Sequence, residues 1–287
     1  MPRPPAQATT LLVCLLAIVG CVKVHTANKL PLAMAQMSPN SVGLELVFAR
    51  FAFGDDQLNG ALWAEIDEQQ IPVETRRRLA DNGFRAGLVG GRLPASLQRL
   101  LKSSQAEQPA GELLNFELAN EPLIRGRIVQ SPAGVPKRII VSGEQRQHEQ
   151  LAVLFRDAGG AVTGRTYALA RGVLVAKTHP QSDGRVRLEL IPEVEHGAPQ
   201  RRFIPRDGYA RFEFGPAADV FDHLRLETTL APGQTLVVGT LPDRPATLGY
   251  QYFTEQESGP LKQKLLLIRL ARTQHDELTP VPGTPEP

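Results

Sequence analysis

From Val42 onward the chain is built of short apolar runs broken by turn residues. "VGLELVFARF" is dense in β-formers and predicts a buried strand. Asp55 or Asp56 is placed to cap a helix in which Leu58, Ala61, Leu62 and Ile66 share one face, with Trp63 beside them. Pro72 occupies a first helical position for "PVETRRRLAD", and Asn82-Gly83 ends it. "FRAGLVGG" reads as a short strand, and Pro94 opens "PASLQRLLK", with Leu97, Leu100 and Leu101 along one side. The order over residues 42–102 is β-α-α-β-α, a small α/β module.

Residues 103–112, "SSQAEQPAGE", are polar and broken by proline, and predict a linker. Residues 113–275 then read as strands. "LIRGRIVQ" and "VPKRIIVS" are joined across Ser131-Pro132-Ala133-Gly134, and "LAVLFR" and "AVTGRTYALAR" flank Asp157-Ala158-Gly159-Gly160. "GVLVAK" follows Gly172. In "GRVRLELIPEV", Val186, Leu188 and Leu190 fall on one face and Arg187 and Glu189 on the other. "YARFEF" alternates in the same way, and so does "HLRLETTL", with Leu224 and Leu226 opposite Arg225 and Glu227. "QTLVVGTL" and "KLLLIRLAR" are the last strands. Half-wet strands of this kind predict an antiparallel sheet with one buried face. The fold class expected is therefore α+β: an N-terminal β-α-α-β-α module followed by a mainly antiparallel β domain. Residues 276–287, "DELTPVPGTPEP" after His275, have no apolar period and predict a disordered tail.

Composition fits this pattern and changes one end of it. Hydrophobic residues make up 42% of 287 and charged residues 22%, enough apolar material for a core. The formal net charge is +2, which indicates no charge-driven partner such as nucleic acid. The N-terminus carries Arg3, then an uncharged run centred on Leu11 to Val19, then Gly20 and Cys21. Roughly twelve apolar residues are too few to cross a bilayer as a helix, but they suit the h-region of a signal peptide.

Ile18-Val19-Gly20-Cys21 resembles the lipobox of bacterial lipoproteins. The resemblance implies a signal peptide over 1–20, lipidation of Cys21, and a lipidated tether over 21–41 that carries the folded part on the membrane. An ordinary secretory signal that happens to hold cysteines is the alternative reading. Cys14 leaves with the signal, so the mature chain has one cysteine and no intramolecular disulfide. Val22 after the lipid site resembles the pattern of lipoproteins sorted to the outer membrane, which implies a location in the cell envelope facing the periplasm.

The late strands carry a second resemblance. "GRVRLELIPEV", then "LRLETTLAPGQTLVVGTLPDRP" and "KLLLIRLAR" are similar, in order, to the late β segments of bacterial secretins, the ring-forming outer-membrane channels of secretion and pilus systems. The match covers about residues 184 to 271, and it implies a hairpin turning at Pro232-Gly233 ahead of the buried strand Leu236-Val237-Val238. The family commonly has two glycines where Gly239-Thr240 stands. With four Tyr, eleven Phe and one Trp, aromatic girdles for an autonomous barrel are lacking.

Candidate chemistry is thin. His25, His148, His179, His196, His223 and His275 show no metal-ligand spacing, and no metal or cofactor is expected. Asp222-His223 would act as orienter and base only on a shared face, and neighbours on a strand point to opposite ones. Ser142 has no G-x-S-x-G context. "GLVGG" (87–91) lacks the residues of a phosphate loop and reads as a plain βα turn. Glu65, Asp67 and Glu68 read as a solvated helix end, and Arg76, Arg77 and Arg78 splay around a helix. The chain is thus expected to be a non-enzymatic, lipid-anchored envelope protein, a scaffold or assembly component with a homo-oligomeric or envelope-protein partner. The alternative is a lipoprotein that binds a small ligand or polymer through its β domain.

Overall fold

The computed structural model describes residues 40–105, 117–118, 121–122, 126–142, 148–206, 209–256 and 259–275. The signal segment 1–20, Cys21 and its tether up to residue 39, most of the linker 103–112 and the tail 276–287 lie outside the described residues.

Along the chain come β1 (Ser41–Ala52), a π-helical turn (Gln57–Leu62), α1 (Val73–Asp81), β2 (Phe84–Val89) and α2 (Ala95–Gln105). A two-stranded ribbon follows, β3 (Glu117–Leu118) with β4 (Glu121–Pro122). Then come β5 (Gly126–Pro132), β6 (Lys137–Ile140), β7 (His148–Arg156), the long strands β8 (Val162–Pro180) and β9 (Val186–Arg206), and β10 (Tyr209–Val220). A 3-10 turn (Asp222–Leu224) leads into β11 (Leu226–Leu230), β12 (Thr235–Thr240), α3 (Leu248–Phe253), β13 (Thr254–Glu255) and β14 (Lys262–Gln274).

Two antiparallel sheets result. The first runs β2-β12-β14-β1-β5, with β13 beside β14; the second runs β10-β9-β8-β6, with β11 also on β9 and β7 on β8. Leu44 and Leu46 of β1 and Leu266 and Ile268 of β14 share one core with Leu174 and Ala176 of β8 and Leu188 and Leu190 of β9, so the sheets are stacked face to face. The other face of the first sheet, including Val47, Ala49, Leu265 and Leu267, is covered by Leu58, Leu62, Trp63, Leu97 and Leu101. β1 and β14 are therefore buried on both sides, which is why their sequences are almost continuously apolar. The class is mainly antiparallel β with helices added, an α+β fold.

The pairing revises several local expectations. β1 lies between β14 and β5, and β2 lies against β12, so strands from 42–102 share a sheet with strands from the end of the chain. A boundary at 103–112 therefore does not separate two sheets. β5 and β6 flank a good turn but do not form a hairpin, since β5 joins β1 and β6 joins β8. Ala133 donates to Asn40 O (2.7 Å) and Gly134 to Thr178 O (2.9 Å), pinning that corner to both sheets. Pro232-Gly233 likewise carries the chain from β11 in the second sheet to β12 in the first, not round a hairpin. Turn residues set a reversal; the apolar faces decide which sheet receives each strand.

The first helical turn differs too. It is π-helical over 57–62, and Leu58, Leu62, Trp63 and Ile66 are buried while Ala61 is exposed. The wider turn takes Ala61 off the buried face. Asp55 Oδ1 accepts from Leu58 N (3.0 Å), whereas Asp56 makes no side-chain cap bond. Pro72 is the N-cap of α1, one position ahead of the expected one. Gly83, at φ +78°, takes the left-handed conformation that ends α1.

One feature of the second sheet leaves the sandwich. β8 and β9 pair from Arg171↔Glu195 to Pro180↔Val186. Past that point β8 pairs with β7, and β9 pairs only with β10 among the described residues. Leu169 has φ +49° where β8 passes from one partner to the other, a strained setting for a side-chain-bearing residue. The β7–β8 ribbon folds back, with Leu154 N donating to Ala246 O (2.8 Å) and Gln251 Nε2 to Ala152 O (2.9 Å). The β9–β10 ribbon continues alone as an arm.

Candidate functional site

Helix α1 and the edge strand β11 face one another across a groove of about 990 Å³. Pro72, Thr75 and Arg78, spaced three apart on one face of α1, form one wall. Glu227, Thr228 and Thr229 form the other, with Arg185 from the β8–β9 turn and Asp222, His223 and Arg225 contributing at the ends. At one end Gln234 Nε2 reaches Gln70 Oε1 at 3.4 Å.

Most charges around the groove are already paired. Arg225 binds Glu189 (2.6 Å) and Asp222 together, and Arg187 approaches Glu227 at 3.6 Å. The same pairing continues over the second sheet, where Arg138 and Arg171 both meet the buried Glu195. Asp222 and His223 stand on a 3-10 turn instead of a strand, and both line the groove. They still make no dyad: Asp222 is held by Arg225, and His223 Nε2 donates to Arg156 O (2.8 Å).

Several of the other singled-out residues have structural partners, while Glu65 and His275 are exposed. Ser142 Oγ accepts from Gly172 N (2.9 Å) in a buried position. Glu68 pairs with Arg85 (2.6 Å), whose guanidinium lies 4.4 Å from the Trp63 ring. Asp67 is bonded by Gln70 Nε2 (2.8 Å) and Gln69 N (2.9 Å), which lower its pKa, and its backbone bridges Leu88. Arg76 donates to Ile71 O (3.1 Å), and Arg77 pairs with Glu74 (2.7 Å). Residues 87–89 end β2, and Gly90 and Gly91 lead to α2, a βα turn. His148 is shifted below its ordinary pKa by burial and by Lys264; His179 is lowered by burial and by Arg187. His196 lies 3.5 Å from Asp219, whose carboxylate also receives Tyr167 and Arg165. Burial and Asp219 push the Tyr167 hydroxyl up to about 12. His25 and Cys21 lie outside the described residues.

Among the described residues no group of three or more His, Cys, Asp or Glu is arranged to hold a metal ion. Among them, too, no helix is long and apolar enough to cross a membrane. Sequence reasoning singles out Asp222, His223 and Arg78 separately but not Thr75 or Gln234, and does not unite them, because the groove joins segments about 150 positions apart that share no motif. No protein-family model matches the chain, and no curated protein is significantly similar to it.

Proposed function

We propose that the chain is a lipid-anchored cell-envelope protein that acts by assembly and not by catalysis, a reduced secretin-like or secretion-associated scaffold. The observation that carries this reading is the β9–β10 arm. Gln200↔Gly215 to Arg206↔Tyr209 pair in unbroken register, and neither strand has another partner there among the described residues. A lone two-stranded ribbon is at best marginally stable in water, and open edges are templates for further strands. The register sets Phe203 opposite Phe212 and Phe214 opposite Arg201, and Phe214 is 78% exposed. Arms from neighbouring copies would close each other's edges and cover Phe214.

The anchor is the second half of the reading and rests on Ile18-Val19-Gly20-Cys21. Cys21→Ser is expected to abolish fatty-acid labelling and release the protein from the membrane fraction; undiminished labelling would refute it. For assembly, negative-stain images of the detergent-solubilised full chain are expected to show rings of many copies. Uniform single-chain particles would overturn it. The groove between α1 and β11 favours a second reading, recognition of a ligand by the β domain.

A further inference from the structure

We propose that the groove between α1 and β11 accepts an extended acidic peptide segment, which joins the second sheet as a strand on the open edge of β11. This rests on the second reading above and is independent of the arms.

β11 pairs with β9 along all five of its residues, from Leu226↔Leu190 to Leu230↔Val186, and with no strand on its other side among the described residues. Three consecutive residues, Glu227, Thr228 and Thr229, line the groove. Successive side chains of a strand point to opposite faces, and Thr228 is turned to the core at 8% exposure while Glu227 is exposed. A hollow that meets all three runs along the edge of the strand, where its outward N–H and C=O groups lie. The edge of β2 in the first sheet is closed by contrast, since Asp67 and Leu88 exchange two backbone hydrogen bonds of 2.9 Å. A slot between an edge strand and a facing helix is the geometry in which peptides are bound by strand addition: the backbone supplies affinity and alternate side chains supply specificity.

Charge selects the kind of peptide. The acidic residues of the walls are matched from within the protein, Asp222 by Arg225 and Glu227 by Arg187. Arg78 has no carboxylate partner among the described residues, its guanidinium reaching only Thr75 Oγ1 at 3.4 Å. Arg185 pairs with Asp183 (2.6 Å) within its own exposed turn, as Arg187 does with Glu227 at 3.6 Å, and solvent weakens both pairs. The unmatched charge in the groove is positive, so a segment with carboxylates at alternate positions complements it.

The test is anisotropy of a fluorescein-labelled peptide, Glu-Thr-Glu-Val-Glu-Thr-Glu, titrated with the full-length chain in detergent. Saturable binding is expected, weakened about tenfold or more by Arg78→Glu combined with Arg185→Glu. N-methylation of alternate peptide amides is expected to remove binding, and the unmodified peptide to slow amide exchange over residues 226–230. Matching unfolding curves for variant and parent keep the comparison one of binding. No saturable binding up to about 1 mM, a weak affinity corresponding to about −4 kcal/mol, overturns the proposal. Binding that N-methylation leaves unchanged also overturns it, because a polyanion held by arginines alone needs no strand edge. Neither result alters the ring expected of the arms.

Discussion

Gly87 shows how closely the chain is laid at the rim of the first sheet. A Cβ there would stand 2.6 Å from Ile66 Cγ2 and 3.1 Å from Asp67 O, because residues 66–68 run along β2. Gly87→Ala is expected to cost about 1–3 kcal/mol as an overpacking substitution, read as a lower urea midpoint. An unchanged midpoint would show that this segment yields freely. The histidines make a prediction about pH. In the folded chain His148 is lowered by burial and Lys264, and His179 by burial and Arg187, both below the ordinary 6.5. Between those lowered values and 6.5 the unfolded chain binds more protons, so their contribution to stability is present above 6.5 and is lost as pH falls through the folded values. The unfolding free energy is expected to drop from about pH 7.5 to about pH 5.5, and His148→Gln with His179→Gln to reduce that drop. An equal drop in the double variant would locate the dependence elsewhere.

Elements are held to one another by a few buried polar groups. Asn82, at the end of α1, accepts Arg156 N–H on Oδ1 (2.7 Å) and donates from Nδ2 to Arg78 O (3.0 Å), fixing the helix to β7. Asn82→Ala leaves the Arg156 amide without that acceptor and is expected to cost about 1–3 kcal/mol, with faster amide exchange in β7; exchange unchanged there would count against the tie. At the same scale the sequence is readable within a strand and unreadable between strands. The alternation of Val186, Leu188 and Leu190 is the buried face of β9, and the apolar run of β14 is a strand covered on both sides. Ser131-Pro132-Ala133-Gly134 and Pro232-Gly233 are true turns, yet each sends its strands to different sheets, because partner choice is settled by which core receives the apolar face. The groove was hidden for the same reason. Arg78 looked like one of three splayed arginines, and only the packing of α1 opposite β11 gives it a setting apart from Arg76 and Arg77.

At the largest scale the described residues from 40 to 275 form a two-sheet sandwich, with helices over one outer face and a ribbon that runs past it. In the groove Asp222 and His223 are each committed to structural partners, Arg225 and the Arg156 carbonyl. The arm is the part whose form asks for company: strands of about ten residues, roughly 30 Å long at 3.3 Å per residue, with both outer edges unpaired among the described residues. The central claim is that these arms drive assembly. The most direct test is the native mass of the detergent-solubilised full chain, measured beside a variant in which residues 197–215 are replaced by a short turn. The account predicts a many-subunit mass for the full chain and a single-chain mass for the variant. A full chain that weighs as one copy, or a variant that assembles as well as its parent, would contradict it.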